Sequence, residues 1–504
     1  KYASRDSGQF VLLAGSDYDR FSYKINTGNN TAGESAELYF SPSAINNESD
    51  GSQSISYILA DNEGRKVTHR YTLHKDDYLL DWNIELQRPD LLLGKNSIDI
   101  NWQVRARQQE KDVIAEKRES QIDIRNNEGF DYFTLKDGLN KKFEEGVKWL
   151  GVKQKFFNHT IVSKQGFTYA EVNAIVPPDS SGIVTNVMAT LRLNIPSGSS
   201  VNLPFSLYYG PNDFQILKKY GNDMEDMVNL GQGFYAFVKY INRWIVMPVF
   251  NLFSGFFKSY GLVIALLTII IRLFTSPLVY TSYLSGAKMK ALKPELDQLK
   301  EKYKDDQQAF SMEQMKLFRT AGVNPLGGCI PALLQIPIFF ALYSFFNAEI
   351  DLRGQSFWWA KDLASYDSIF TWGFSIPFIG SHISLFTLLA VSTSLLISLY
   401  SMSMTPDQNN PMLKYMPYIF PVMLLGIFNG LPAALTWYYT VSNVITLVLQ
   451  YVIQNFIIDH DKIIAQLQEN KKKPKSKPKW QERLEQMQES QKKLDDLKKK
   501  SQKK

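Results

Sequence analysis

One arginine in the middle of an apolar run decides more than any other residue what this chain of 504 residues can become. Residues 260–283 form a stretch close to the ~20 residues that cross a hydrocarbon layer as a helix. Arg272 is its only formal charge, about 12 residues and roughly 18 Å from its start. A central arginine costs about 2.5–3.5 kcal/mol on insertion scales, so it is tolerated only where it faces water, a partner or a polar cavity. Four further apolar stretches, 330–346, 381–401, 412–428 and 435–457, bring the expected crossings to five. None of the five contains Asp or Glu. An ion pair within the spans is therefore excluded, and a wet cavity is expected instead. The 330–346 and 412–428 stretches are near the lower length limit and carry Pro331 and Pro337, and Pro417 and Pro421, which predicts kinks or local thinning of the bilayer.

Other polar residues fall into register with this charge. Thr268 and Ser276 lie one turn to either side of Arg272, on its face of the helix. In the last span Thr436, Tyr439, Asn443, Thr446 and Gln450 share one face at spacings of three and four. A second stripe, Thr387, Ser394, Ser398 and Ser401, reads more readily as a close-packing interface when taken alone. Gln335 adds an amide. Packed together, these faces make a hydrophilic groove with one fixed positive charge.

Charge in the loops sets an orientation. Eight Lys and Arg lie between Tyr283 and Ile330, against Arg353 and Lys361 alone in 347–380, so the first loop is expected in the cytoplasm. From His460 onward there are 15 basic and 7 acidic residues, which places the tail on the same side. Within the loop, at 285–322, Met289, Leu292, Leu296, Leu299 and Tyr303 recur at helical spacing, and a second helix carries Met312, Met315 and Phe318. The expected structure is a cytoplasmic helical hairpin whose two helices pair only with each other. Lys471–Lys479 is polybasic, a weakly specific attractor of phosphates, whether anionic lipid head groups or RNA.

The first half has another grammar. From Phe10 to about Tyr209 apolar and polar residues alternate, clearly at Ile98, Ile100, Trp102 and Val104, with Gly, Pro and Asn clusters between runs. This predicts a large antiparallel β-sandwich over residues 1–225, placed outside the cytoplasm by the loop charges. Residues 1–230 carry 31 acidic and 26 basic residues, whereas 231–504 carry 19 and 30, as suits two aqueous surroundings. Between them lies an interfacial region, 226–258, in which Phe234–Phe257 predicts an aromatic helix lying along a membrane surface. The membrane domain covers 259–460 and the basic tail 461–504. A signal peptide or anchor helix is expected ahead of Lys1 to carry the β domain across.

Several chemistries are excluded. One cysteine, Cys329, permits no intrachain disulfide, and five scattered histidines show no ligand spacing, so no metal, cofactor or catalytic residue is expected. No phosphate-cradling glycine loop or hydrolase elbow occurs, which argues against an ATP-driven pump and against an enzyme.

Arg272 on a polar face, the basic hairpin, Val323-Asn324-Pro325-Leu326-Gly327-Gly328-Cys329 running into Gln335-Ile336-Pro337-Ile338-Phe339, and Tyr438-Tyr439-Thr440-Val441-Ser442-Asn443 together resemble the YidC/Oxa/Alb family of membrane protein insertases over about 230–460. Residues 1–225, ending in Tyr208-Tyr209-Gly210-Pro211, resemble the periplasmic supersandwich of its Gram-negative members. The resemblance implies a bacterial inner membrane protein. Nascent membrane proteins would enter a groove open to cytoplasm and lipid and closed outside. Arg272 would attract acidic residues of a translocating segment, Thr268 and Gln335 would line the groove, and Phe339 and Tyr439 would touch the departing helix. Ribosome, targeting machinery and Sec translocon are the implied partners of hairpin and tail.

Two other classes stay open on the residues alone. A secondary transporter or channel also needs a polar cavity, but it normally uses intramembrane acids or repeated halves. A membrane-anchored carbohydrate-binding protein would make the sandwich the active part.

Overall fold

The computed structural model describes residues 2, 10–28, 31–144, 146–303, 306–324, 330–402 and 411–472. Asn29 and Asn30 of one of the Gly and Asn clusters between the alternating runs, the Pro325–Cys329 part of the motif and the polybasic run from Lys473 lie outside the described residues. The chain divides into two compact units. One holds residues 1–267, 337–387 and 426–438; the other holds 268–336, 388–425 and 439–504.

The first unit contains the sandwich. One antiparallel sheet takes Arg20–Ser22, Ser97–Arg107, Ile183–Asn194, Tyr169–Ile175 and Leu139–Phe143 in that order. The second, larger sheet is built around Phe157–Phe167, Ser200–Pro211, Leu79–Gln87 and Lys66–Leu73. Period-two burial follows the sequence closely: Ile98, Ile100, Trp102, Val104 and Ala106 are all buried, while the residues between them are half-buried or exposed. Trp102 stands opposite Ala189, Val104 opposite Val187 and Ile100 opposite Leu191, so apolar side chains face one another across the pair. Trp82, Ile84 and Leu86 from the larger sheet join the same apolar core.

Asp213 ends the β region by capping the helix Phe214–Tyr220, its carboxylate accepting from the Gln215 and Ile216 backbone N–H at 2.8 and 2.9 Å. The expected aromatic helix begins later than its sequence suggested. A single turn at Gly233–Tyr235 precedes it, and the helical run is Val238–Ile241, a π segment Asn242–Val246, then Met247–Phe256. Val238, Asn242, Val246 and Phe250 are buried at intervals of four, and the Asn242 amide donates to the carbonyls of Leu230 (2.7 Å) and Ala341 (2.8 Å). Phe237, Tyr240, Trp244, Leu252 and Phe256 stay exposed. Lys239 and Arg243 both pair with Asp226, which leaves the aromatic side of the helix free of their charge.

Among the described residues eight α-helices follow: Tyr260–Ala291 (α1), Lys293–Lys302 (α2), Gln307–Ala321 (α3), Ile330–Ala348 (α4), Leu385–Met402 (α5), Pro411–Phe428 (α6), Ala433–Val452 (α7) and His460–Lys472 (α8). Among the described residues, three are long and apolar enough to cross a membrane, namely α1, α5 and the stretch Ala433–Ile457 that α7 opens. Shorter apolar helices, Leu333–Ala348 and Tyr415–Phe428, stand where the other two crossings were expected. Two boundaries move. Helix α1 continues eight residues past Tyr283, and the stretch expected to open the 381–401 span is instead a strand, Gly380–Ile383, paired with Phe370–Ile376. The reason is a cap: Ser384 Oγ accepts from Thr387 N–H at 3.0 Å and Asp367 accepts from Phe386 N–H at 2.9 Å, so the helix starts at Leu385.

The loop after α4 is fastened to the sandwich inside the first unit. Arg353 pairs with Glu110 at 2.7 Å, both side chains about 95% buried, and donates to the Gln109 carbonyl at 3.1 Å. Lys155 Nζ donates to the Ala364 carbonyl at 3.0 Å. The 109–110 backbone is held from beneath by Glu116, whose carboxylate accepts from both N–H groups and from the Gln154 amide. Burial, reinforced by the Glu110 charge, pushes the Glu116 carboxyl up to about 7.

Removing one partner of a buried pair strands the other charge, at about 3–5 kcal/mol. Arg353→Ala is therefore expected to lower unfolding stability by that order, measured by denaturant titration of the purified protein, whereas Arg353→Met with Glu110→Leu recovers most of the loss. Because the folded protein holds the Glu116 proton more tightly than the unfolded chain, stability should decline as pH rises from the ordinary carboxylate range through about 7. The same titration repeated across pH should lose that component in Glu116→Gln.

Candidate functional site

Thr268, Arg272 and Ser276 occupy successive turns of α1 in the second unit. Thr268 is fully buried and Arg272 half-buried. Pro277 lies just beyond them inside the helix. Lacking an N–H, it leaves the carbonyl of Leu273 without its helical donor. The Ser276 hydroxyl donates to that carbonyl at 2.8 Å, so it repairs the helix that Pro277 interrupts.

The partner of Arg272 is Ser442 of α7. Nε donates to Ser442 Oγ at 2.7 Å, and a terminal guanidinium nitrogen donates to the same oxygen. Ser442 is fully buried, and its carbonyl accepts from Thr446 Oγ1 at 2.7 Å. A hydroxyl anchors a guanidinium without neutralising it. Among the described residues no acidic side chain pairs with Arg272, and it is the only formal charge in the apolar span 260–283, ahead of Lys288 and Lys290 at the end of the helix.

Asn443, the next residue, points elsewhere because successive helical positions are rotated by about 100°. Its amide nitrogen lies 2.8 Å from Ser394 Oγ, 3.1 Å from Thr393 Oγ1 and 3.0 Å from the Ala390 carbonyl, all on α5. Further along, the Gln450 amide reaches Ser401 Oγ at 3.4 Å. Ser394 and Ser401 of the α5 stripe are thus engaged with α7. Tyr439, a turn before Ser442, is buried on the same helix.

Gln335 and Phe339 sit on α4. The Gln335 amide nitrogen is buried without a hydrogen-bond acceptor among the described residues. The Phe339 ring stacks on Phe428 with centroids 6.3 Å apart and also meets Phe340 and Tyr343. Ser442 was missing from the sequence-derived candidates, although its position, three after Tyr439 and four before Thr446, places it beside their stripe.

The loop helices depart from expectation in one respect. Leu292 and Leu296 are buried, and Met289, Leu299 and Tyr303 are half-buried, but α2 and α3 do not pair only with each other. Their core also takes Ile453, Ile458, Ile463 and Leu467 from the end of the α7 stretch and from α8. Lys471 pairs with Glu295, and Asn470 donates to the Ala321 carbonyl at 3.2 Å. Phe318 is buried in this core, whereas Met312 and Met315 are exposed, because α8 and the α1 extension supply the apolar cover that the methionines were expected to give. Among the described residues no group of three or more His, Cys, Asp or Glu is placed to hold a metal ion.

Two family models match most of the chain: the YidC periplasmic domain over residues 1–250 and the 60Kd inner membrane protein over 252–461. The membrane protein insertase YidC of Parabacteroides distasonis is 34% identical over 95% of this chain and 78% of its own. That of Cytophaga hutchinsonii is 35% identical over 94% and 77%. A crystal structure of an active YidC insertase with its first transmembrane domain resolved aligns at 21% identity and TM-score 0.36, over 86% of this chain and 84% of that one.

A hydrogen bond to a charged group contributes about 1.5–3 kcal/mol. Ser442→Ala should therefore destabilise the detergent-purified protein by that order in a thermal or denaturant unfolding assay, while Ser442→Thr, which keeps the hydroxyl, stays near the parent.

Proposed function

Because the chain belongs to the YidC family of membrane protein insertases, over both its periplasmic and its membrane part, we propose that it receives newly made membrane proteins in a positively charged, hydrophilic groove and releases their helices into the bilayer. It is an inner membrane protein with a periplasmic β domain. The observation that carries the groove reading is the half-buried guanidinium of Arg272, bonded to a neutral hydroxyl in a helix with no other charge across its apolar span.

In this reading five helices cross, at about 260–283, 330–346, 381–401, 412–428 and 435–457, with the 284–329 loop and the tail after Asp459 in the cytoplasm. The domains are 1–225 in the periplasm, 226–258 along the membrane interface, 259–460 in the bilayer and 461–504 in the cytoplasm. Arg272 attracts acidic residues of a short translocating segment. Thr268, Ser276, Gln335 and Asn443 keep the surroundings polar, and Phe339 and Tyr439 offer aromatic contact to the client helix. The cytoplasmic hairpin, 285–322, and the tail meet ribosome, targeting machinery and Sec translocon, and the tail's lysines meet anionic lipids.

The physical problem solved is desolvation. A polar segment crossing ~30 Å of hydrocarbon must give up its hydrogen bonds to water, at several kcal/mol per unsatisfied group. A wet, charged groove shortens that passage. Burial of the client's own apolar helix, at about 25 cal/mol per Å² removed from water, then drives release without nucleotide hydrolysis or a cofactor.

The test is insertion of a client with an acidic periplasmic tail in cells depleted of their native insertase. Arg272→Glu should block insertion, Arg272→Ala should slow it about tenfold, the loss that ~1.4 kcal/mol corresponds to, and Arg272→Lys should retain most of it. Normal insertion by both the Glu and Ala variants would remove the charge from the mechanism.

A further inference from the structure

The segment between α4 and α5 ends in a hairpin, Phe370–Ile376 paired with Gly380–Ile383, whose sequence is out of keeping with an exposed loop. Its first strand reads Phe-Thr-Trp-Gly-Phe-Ser-Ile. The pairing shifts register between Thr371 and Ile376, and along the strand the rings Phe370, Trp372 and Phe374 alternate with Thr371, Gly373 and Ser375. Neighbouring rings on the apolar face meet, with centroids 6.0 and 6.4 Å apart, and Trp372 Nε1 donates to the Gly380 carbonyl at 3.1 Å. Yet this face is uncovered: Phe370 is 63% and Phe374 66% exposed.

The tip is more extreme. Ile379 N–H donates to the Ile376 carbonyl at 3.1 Å across Pro377-Phe378, and Phe378 adopts φ +69°. Proline first and positive φ second is the pattern of a type II turn, whose second central position normally holds glycine. Here it holds phenylalanine, 92% exposed. A bulky apolar side chain in a strained turn, directed into water, gains nothing.

Its surroundings supply the missing medium. The hairpin runs into the membrane-length helix α5 after a single residue, Ser384. Asn429, just past α6, ties it down: its amide donates to the carbonyls of Ile379 and His382, both at 2.7 Å, and its oxygen accepts from Ser384 N–H at 2.9 Å. At Gly426, within α6, an added Cβ would come 2.6 Å from the Phe378 carbonyl, so the tip lies against that apolar helix. The same α4–α5 segment is clamped to the periplasmic domain through Arg353 and Lys155. From residue 368 through 402 there is no Asp, Glu, Lys or Arg. The hairpin therefore sits at the level where membrane helices emerge on the periplasmic side, with an uncharged aromatic face.

We propose that this hairpin is a lipid-binding wedge: Phe370, Phe374 and Phe378 enter the periplasmic leaflet of the bilayer, and Trp372 lies at head-group level, anchoring the outer ends of α5 and α6. Irregular backbone is not tolerated in hydrocarbon, so only the side chains enter while the strands stay in the interface. The inference rests on the membrane placement of α5 and α6 and not on the groove.

The full chain, with Cys329→Ser, is spin-labelled singly at Phe374→Cys, Phe378→Cys and Ser375→Cys and reconstituted in vesicles of phosphatidylethanolamine and phosphatidylglycerol. Relaxation by oxygen, which concentrates in lipid, is compared with relaxation by a water-soluble nickel chelate. The oxygen-to-chelate ratio should be severalfold higher at 374 and 378 than at 375. Equal ratios at all three would overturn the proposal, as would labels at 374 and 378 shielded from both agents, which means a protein surface covers them. Insertion by the same labelled chains, assayed separately, reads the groove: a failed Arg272 series with intact depth ratios rejects the groove alone, and the reverse rejects the wedge alone.

Discussion

A guanidinium held by a serine hydroxyl is the interaction on which the membrane part of this chain depends. Arg272 interrupts an apolar helix that is otherwise well suited to lipid, and Ser442 is the group that receives it. The choice of partner has consequences. An aspartate at 442 would form a neutral pair and shed the need for water, at the cost of desolvating two charges. Serine fixes the guanidinium's direction and leaves its charge whole. Thr446 and Asn443 then show how α7 divides its labour around one turn: Ser442 serves α1, and Asn443 one position later holds Thr393 and Ser394 of α5.

Much of this was legible in the sequence, for reasons that are specific. The sandwich was readable because Ile98, Ile100, Trp102 and Val104 alternate without interruption, and a half-buried strand has no other way to sort its side chains. Arg272 was readable because a lone charge in an apolar helix is expensive. Ser442 was not, because serine in a membrane helix is compatible with packing, capping or a site, and only the position of α1 distinguishes them. Only the end of the hairpin, residues 381–383, falls within the expected 381–401 span, because Ile383, Leu385 and Phe386 are apolar in strand and helix alike; the cap made by Ser384 and Asp367 sets the boundary. Met312 and Met315 were assigned to a seam by spacing alone. Spacing identifies a face but not what covers it, and α8 arrives from more than 140 residues away.

The periplasmic part has its own organising contact. Glu110 and Arg353 are buried almost completely, and removing two charges from water is costly enough that such a pair is weak evidence for stability as such. What it does provide is direction. An ion pair with a bidentate-capable guanidinium tolerates few geometries, and this one joins a loop of the sandwich to the segment that leads from α4 to α5. Glu116 beneath it fixes the loop backbone rather than the guanidinium, so the clamp has a rigid side and a gripping side.

The proposed mechanism places an upper bound on how strongly the groove holds its client. A full ion pair between Arg272 and a client carboxylate in a dry interior would be hard to leave, because separation would strand both charges in low dielectric. In a wet groove the attraction is screened, strong enough to orient an acidic segment and weak enough to release it once the client's apolar helix has lipid to enter. Under that proposal Ser442 would help on both counts: its hydroxyl, which accepts from Arg272 Nε at 2.7 Å, would keep the guanidinium in place when no client is bound and offer a neutral hydrogen-bond acceptor to return to when the client leaves. A carboxylate partner would compete with the client for the same charge, whereas a purely apolar neighbour would leave the guanidinium free to seek the membrane surface.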